Sequence, residues 1–319
     1  GDFHFVGQCY HNTIGERPTY IYKSLPGKPD MFDPLLDFAQ LPGVPTALHA
    51  FAGRIYAFSE NKIWRIDPNT MYIEDEFEGI GASSQKSVFV TEYGMVFANK
   101  NNVYMHDGRK PTPLGYAILQ SEYRGAYGYQ EMVRDNTMTA NTISVATSDN
   151  SLNDSASGFI SAGWKPGDFV SVSGFTESNN NQNFYINGVT AAKITLGGKT
   201  SDMVDEAAGD TVTITKIKNT PICTFNSKDI SYFIMVGRYA WCYNIPSKRW
   251  DMWDGPSFVS WAAETDSEIK STVLSSDGKM LISKKTGTGA GDLVHYAGDP
   301  YNDAVYTWVS KALNLGEAG

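Results

Sequence analysis

The stretch His49-Ala-Phe-Ala-Gly-Arg-Ile-Tyr-Ala-Phe58, continued by Lys62-Ile-Trp-Arg-Ile-Asp67, decides the fold. Apolar and polar residues alternate on both sides of Ala52-Gly53, which reads as two strands joined by a tight turn. Glu60-Asn61 turns the chain again, and residues 62–67 form a third run. Pro68-Asn69-Thr70 makes the next turn, and residues 71–77 can serve as an outer strand. Short strands joined by such turns build an antiparallel meander.

Glycine turns recur. Gly94 lies in Val88-Phe-Val-Thr-Glu-Tyr-Gly-Met-Val-Phe97, Gly237 in Tyr232-Phe-Ile-Met-Val-Gly-Arg-Tyr-Ala-Trp241, and Gly278 in Ser271-Thr-Val-Leu-Ser-Ser-Asp-Gly-Lys-Met-Leu-Ile282. Gly53 to Gly94 is 41 residues, and Gly237 to Gly278 is 41 again. A period of about 40–45 residues with several short strands each is the signature of a β-propeller blade. The expected fold is therefore all-β: a β-propeller of about five four-stranded blades, which a larger ring could contain. Earlier strands are expected at 3–10 and 17–22, and 25–45 reads as a proline-rich loop between blades. Later strands are expected at 86–91, 95–99, 102–106, 221–225, 232–236, 239–243, 250–253, 271–275, 279–283 and 293–296. Residues 306–313 read as the first strand of another blade or a closing strand for the first.

The rhythm breaks once, because Gly94 and Gly237 are 143 residues apart. Residues 137–218 are poor in Trp and rich in Ser, Asn, Thr and Gly, with their own alternating runs at 142–146, 168–173, 183–187, 193–196 and 211–215. Strands of this number can close a small barrel. The expected organisation is blades over 1–136, an inserted β-barrel domain over 137–218, and blades again over 219–319, the insertion sitting in an exposed blade loop.

Bulk composition narrows the function. The 319 residues are 41% hydrophobic and 19% charged, with a net charge of −9. A broad grip on nucleic-acid phosphates needs a basic face, so the acidic balance argues against one. Cys9, Cys223 and Cys242 are odd in number and form no Cys-x-x-Cys pair, which reads as buried free thiols in a reducing compartment. No run approaches the roughly 18 apolar residues of a membrane span, and no signal peptide is visible. The chain opens Gly1-Asp2-Phe3 rather than with Met, as a fragment or processed product would.

The candidate chemistry is thin. His4, His11, His49, His106 and His295 form no metal-ligand pair, and His49, His106 and His295 fall in strands. There is no Gly-x-Ser-x-Gly elbow and no phosphate loop. Gly287-Thr-Gly289 with Gly291 is followed by no helical pattern, so it lacks the helix N-terminus that binds phosphate. The acidic groups Glu74, Asp75, Glu76, Glu78 and Glu264, Asp266, Glu268 could hold the two carboxylates of glycoside hydrolysis, but in linear clusters they read as solvated faces. Ser275-Ser-Asp277-Gly278 echoes the Ser-x-Asp-x-Gly turn of sialidase propellers only loosely and reads as a plain hairpin turn. Trp250-Asp251 and Trp253-Asp254 resemble the WD dipeptide without its upstream Gly-His, and read as outer-strand tryptophans packing between blades. Asn153-Asp-Ser155 is a glycosylation sequon without a secretory signal. No catalytic, cofactor-binding or metal residue is expected, and no cofactor.

The segments Phe51-Ala-Gly-Arg-Ile-Tyr-Ala-Phe58, Tyr93-Gly-Met-Val-Phe97, Val103-Tyr-Met-His-Asp-Gly108 and Thr307-Trp-Val-Ser-Lys311 resemble propeller units of tailed-bacteriophage virion proteins. These are the head–tail connector, DNA-stabilisation and tail-hub or nozzle proteins. The run Phe159-Ile-Ser-Ala-Gly-Trp-Lys-Pro-Gly-Asp-Phe-Val-Ser-Val-Ser-Gly174 is similar to a small β-domain of phage structural proteins. So are Gln182-Asn-Phe-Tyr-Ile-Asn-Gly-Val189, Lys193-Ile-Thr-Leu196 and Glu206-Ala-Ala-Gly-Asp-Thr-Val-Thr-Ile214. The resemblance implies a non-enzymatic structural protein of the virion, at the tail or head–tail junction and assembled in the host cytoplasm. Its implied partners are copies of itself in a cyclic ring and other tail or connector proteins, with DNA passing without specific contact. The alternative reading is a carbohydrate-binding or glycan-cleaving propeller used in receptor recognition, with Trp253 or Trp261 beside paired carboxylates.

Overall fold

The computed structural model describes residues 3–11, 15–115, 129–198, 200–217, 220–227, 229–236, 239–253, 269–274, 280–286 and 290–296. The chain divides into two compact units, one of Gly1–Arg134, Asn219–Phe225 and Ile230–Met252, the other of Asp135–Lys218, Asn226–Asp229 and Trp253–Gly319.

The first unit is built from four-stranded antiparallel sheets. β1 (Phe5–His11), β2 (Gly15–Leu25), β3 (Lys28–Phe32) and β4 (Phe38–Gln40) form the first, with the long β2 in the middle and both β3 and β4 on its far side. β3 and β4 fall inside the segment expected to be a loop. Pro29 and Pro34 masked them: proline is tolerated at sheet edges, which is where both strands lie. β5 (Ala47–Phe51), β6 (Arg54–Phe58), β7 (Lys62–Ile66) and β8 (Ile73–Glu78) are a meander in chain order, as the quoted stretch predicts. β9 (Val88–Thr91), β10 (Gly94–Ala98), β11 (Val103–His106) and β12 (Pro111–Pro113) repeat it, followed by a short helix α1 (Tyr129–Val133).

The repeat is real, but its register is not that of the glycines. Phe51 pairs with Arg54 and Thr91 with Gly94 to close the two hairpins, so equivalent positions are 40 residues apart. The next turns agree, with Phe58↔Ile63 matching Ala98↔Val103. Gly53 is the second residue of its turn, while Gly94 is the first residue of a strand. Each is a glycine for a separate reason. Ala52 and Gly53 both take positive φ (48° and 72°), as a type I′ hairpin demands. Gly94 has φ +146°, and a Cβ there would stand 3.0 Å from the His106 carbonyl.

The second unit contains β13 (Thr137–Ala140), β14 (Ile143–Ala146), β15 (Ser151–Asp154), β16 (Phe169–Ser173), β17 (Asn183–Val189), β18 (Lys193–Gly197) and β19 (Val212–Lys216). They form a seven-stranded sheet in the order β13-β19-β16-β17-β18-β15-β14. The five expected runs are all present, and β13 and β15 join them. The expected closed barrel is not found, because no ladder joins the edge strands β13 and β14. Only two residues separate those edges in sequence, so the sheet curls until its borders lie near each other. Ile143, Leu152, Phe159, Trp164, Phe184 and Ile214 are in the single core it encloses.

β20 (Ile222–Asn226), β21 (Ser231–Val236), β22 (Tyr239–Asn244) and β23 (Arg249–Trp253) form the fourth four-stranded meander. β24 (Ile269–Leu274), β25 (Met280–Thr286) and β26 (Ala290–Tyr296) form a three-stranded sheet. Gly237 and Gly278 lie outside the described residues, but the pairs Val236↔Tyr239 and Leu274↔Met280 bracket them. Among the described residues the first bracket joins the second and third strands of its sheet, and the second joins β24 to β25. The expected strand at 306–313 lies outside the described residues.

In the first unit apolar residues fill the space between successive sheets. On β6, Ile55 and Ala57 pack with Ile21, Ala39 and Leu41 of the first sheet, whereas Tyr56 and Phe58 pack with Val88, Met95 and Phe97 of the third. β10 repeats this division, Met95 and Phe97 facing back while Val96 and Ala98 face Cys223, Tyr232 and Trp241 of the fourth. Successive side chains of a strand point to opposite faces, so a strand buried on both faces is apolar at nearly every position. β10 and β21 are buried throughout.

Candidate functional site

The acidic cluster of β8 is placed on an edge strand and neutralised from its neighbours. Glu74 Oε2 lies 2.7 Å from Arg54 Nε and 3.3 Å from Arg65 Nε, and Asp75 Oδ2 lies 3.5 Å from Arg65 Nη2. Lys62 Nζ bridges Glu76 at 3.1 Å and Glu78 at 2.9 Å. The Lys62 ammonium holds the Glu78 carboxyl below the usual carboxylate range. Hydrolysis of a glycoside needs one carboxyl kept protonated beside another held ionised. This ladder of alternating charges pairs each of these carboxylates with a cation instead, and charge on an edge strand discourages unwanted pairing. Glu264, Asp266, Glu268, Trp261, Ser275–Gly278 and Gly287–Gly289 lie outside the described residues, while Trp253 is described only as part of β23.

The histidines are dispersed, and among the described residues no group of three metal-ligating side chains exists. His49 Nε2 contacts the Gln85 side chain at 3.0 Å. His106 is fully buried, its ring 4.9 Å from Tyr56, 5.7 Å from Phe77 and 6.0 Å from Phe51, centroid to centroid. The Gly108 N–H donates to its Nδ1 at 2.9 Å. The neutral ring therefore carries its proton on Nε2, which has no hydrogen-bond partner among the described residues. Burial lowers the pKa of His106, Asp107 opposes that shift, and Arg65 adds to it.

The Trp164-Lys-Pro-Gly-Asp-Phe-Val170 segment is a structural turn. Asp168 accepts the Lys165 N–H at 3.1 Å and pairs with the buried ammonium of Lys216. Trp164 lies in the core of the seven-stranded sheet. The sequon Asn153 sits within β15 and donates to Ser151 Oγ at 3.0 Å. Trp250 is buried, with its Nε1 donating to the Leu114 carbonyl at 2.9 Å. That agrees with the packing role read from the sequence.

The feature the sequence did not announce is an open groove of about 460 Å³ in the first unit. Residues 35–40 line one wall and 70–73 the other. Leu35 is 74% exposed, Leu36 62% and Tyr72 76%. Both walls are tied by hydrogen bonds. Asp33 Oδ1 accepts the Leu35 N–H at 2.9 Å, and Asp67 Oδ1 accepts the Asn69 N–H at 2.7 Å. Lys23 joins the walls: its backbone N–H donates to the Asp37 carbonyl at 3.0 Å and its Nζ to the Asn69 carbonyl at 3.4 Å. A signal existed in Leu35-Leu36, an apolar pair beside Pro34 in a polar stretch. Nothing local distinguished a pair turned outward from one turned inward.

No protein-family model and no curated protein matches the chain. Among solved structures it is similar to the extracellular domain of the two-component system protein BT4673 from B. thetaiotaomicron. Identity there is 10%, with 96% of this chain and 33% of that chain covered and a TM-score of 0.35. It is also similar to dihydro-heme d1 dehydrogenase NirN in complex with DHE, at 9% identity, with 88% of this chain and 49% of that one covered and a TM-score of 0.34. The chain thus spans about a third to a half of the length of these structures, and what they sense or catalyse does not pass to it.

Proposed function

We propose that the chain is a propeller-type structural protein of a tailed-phage virion, its successive sheets acting as blades and about five in number. It assembles with copies of itself into a ring at the tail or head–tail junction. The observation that carries this reading is the stacking of the sheets face to face across shared apolar seams, with a separate β-domain spliced between the third and fourth. Such a body is a scaffold whose polar groups serve turns and ion pairs. The resemblance of its hairpins and of the 159–214 segment to phage propeller and β-domain units supports the same assignment. The net charge of −9 suits a wall past which DNA slides without adhering.

Native mass measurement over a range of concentrations, with electron micrographs of the same samples, tests it. Closed rings of one subunit number are expected. A concentration-independent monomer that cleaves a reporter glycoside would overturn it in favour of the glycan-cleaving reading. That reading is the weaker one, since the β8 carboxylates are engaged by Arg54, Arg65 and Lys62.

A further inference from the structure

The groove runs along a strand edge. β4 pairs with β2 through Tyr20↔Gln40, Ile21↔Ala39 and Tyr22↔Phe38. Lys23 N–H donates to the Asp37 carbonyl, and Leu41 N–H to the Thr19 carbonyl at 2.8 Å. Bonded and non-bonded pairs alternate along an antiparallel ladder, so residues 37, 39 and 41 turn their backbone groups toward β2. The N–H and C=O of Phe38 and Gln40 therefore point away from it. Among the described residues no other strand pairs with that edge. Leu35, Leu36 and Phe38 are exposed beside it, and Tyr72 stands across the groove. A free edge next to a groove with exposed apolar side chains is the arrangement that receives an extended peptide as an added strand. Its backbone bonds supply affinity, and pockets for alternate side chains supply choice.

We propose that this groove binds an extended segment of a partner protein in which apolar residues alternate with lysine or arginine, added to the sheet as a strand on β4. The charge of the surroundings selects that chemistry. Asp37 stands on the β4 wall, Asp33 lies just ahead of that wall, and Asp30 is on β3. Of the nearby cations, Lys23 is buried, Arg17 lies over the Tyr20 ring at 5.2 Å, and Arg54 and Arg65 are held by the acids of β8. Lys28 on β3 is the exposed cation of the same segment. The same charge argues against a second copy of the chain, because edge-to-edge pairing would bring two acidic lips together in molecules of net charge −9.

The test titrates the full chain into a fluorescein-labelled decapeptide of alternating valine and lysine and follows anisotropy. Saturable binding is expected. It should weaken at least tenfold in about 1 M salt, where the screening length falls to ~3 Å. Replacing the lysines by glutamates, methylating alternate peptide nitrogens, or introducing Leu36→Glu should each weaken it similarly. Leu36 is exposed, so that variant should keep the wild-type thermal midpoint. Absence of saturable binding would overturn the proposal, as would equal binding of the N-methylated peptide. Displacement of the probe by a peptide of residues 304–313 at lower concentration would give the groove to the chain's own segment. Self-association abolished by Leu36→Glu would give it to a second copy. Ring assembly that persists in Leu36→Glu separates the two readings, since it leaves the proposed function standing whatever the peptide does.

Discussion

Tyr232 Oη lies 2.6 Å from Thr91 Oγ1 and donates to the Gly94 carbonyl at 3.1 Å, joining residues 141 and 138 positions apart. The fourth sheet thereby packs on the turn of the third although a whole domain separates them in sequence. Ser87 Oγ, donating to the Pro221 carbonyl at 2.7 Å, makes a second such link. Burial pushes the Tyr232 hydroxyl up to about 12, against a bond from Thr91 that lowers it. Tyr232→Phe should cost about 1–2 kcal/mol in urea unfolding, since it removes a buried hydrogen-bond partner while keeping the ring. The folded pKa exceeds the unfolded one, so the stabilisation is complete below pH 10 and is lost as pH rises toward 12. A stability profile for Tyr232→Phe that fell as steeply as wild type over that window would disprove the assignment.

His106 makes the opposite prediction at acid pH. Its pKa is lowered in the folded chain, so the unfolded state takes up the proton first as pH falls through about 6.5. Stability should therefore decline below that pH. The groups that face the ring are Tyr56, Phe51 and Phe77, with Asp107 and Arg65 close enough to act on its charge. His106→Phe should flatten the decline in thermal midpoint between about pH 6.5 and 5. An unchanged slope would place the acid sensitivity elsewhere.

The two hairpin glycines should respond differently to substitution. Gly94→Ala forces a side chain into positive φ and against the His106 carbonyl, and should cost about 1–3 kcal/mol. Gly53→Asn meets open space, and asparagine tolerates positive φ, so it should cost less than about 1 kcal/mol. Equal losses from the two would contradict the distinction drawn between a turn residue and a strand residue. Chemical denaturation of both variants measures it.

In the second unit, Lys216 and Asp168 form an ion pair with side chains 3% and 11% exposed. Lys216→Met alone should destabilise by about 3–5 kcal/mol, because it leaves a buried carboxylate without its partner. Combining it with Asp168→Leu should recover part of that loss. A double variant as unstable as the sum of the single ones would show that the two residues do not act as a pair.

Much of the fold was legible locally. Alternation of period two and paired turn residues identified β5–β7, β9–β11 and β20–β23, because a strand exposed on one face or packed between two sheets writes its environment into its own residues. Composition marked the stretch that carries the seven-stranded sheet, since its Ser-, Thr- and Asn-rich strands lack tryptophans such as those of β7, β22 and β23. The glycine count gave the right kind of repeat and the wrong register, as Gly53 and Gly94 are required for different reasons. The edge strands β3 and β4 were hidden by Pro29 within β3, which an edge tolerates and an interior strand does not, and by Pro34 between the two. The groove was hidden for a deeper reason. Its walls come from residues 35–40 and 70–73, and their relation is fixed by Lys23, which reaches both. The sequence by itself determined the segments that become interior strands of the meanders, because their alternation depends on neighbours along the chain. Only the tertiary structure decided which strand edges stay free and which apolar side chains face solvent, because those depend on what the rest of the chain leaves uncovered.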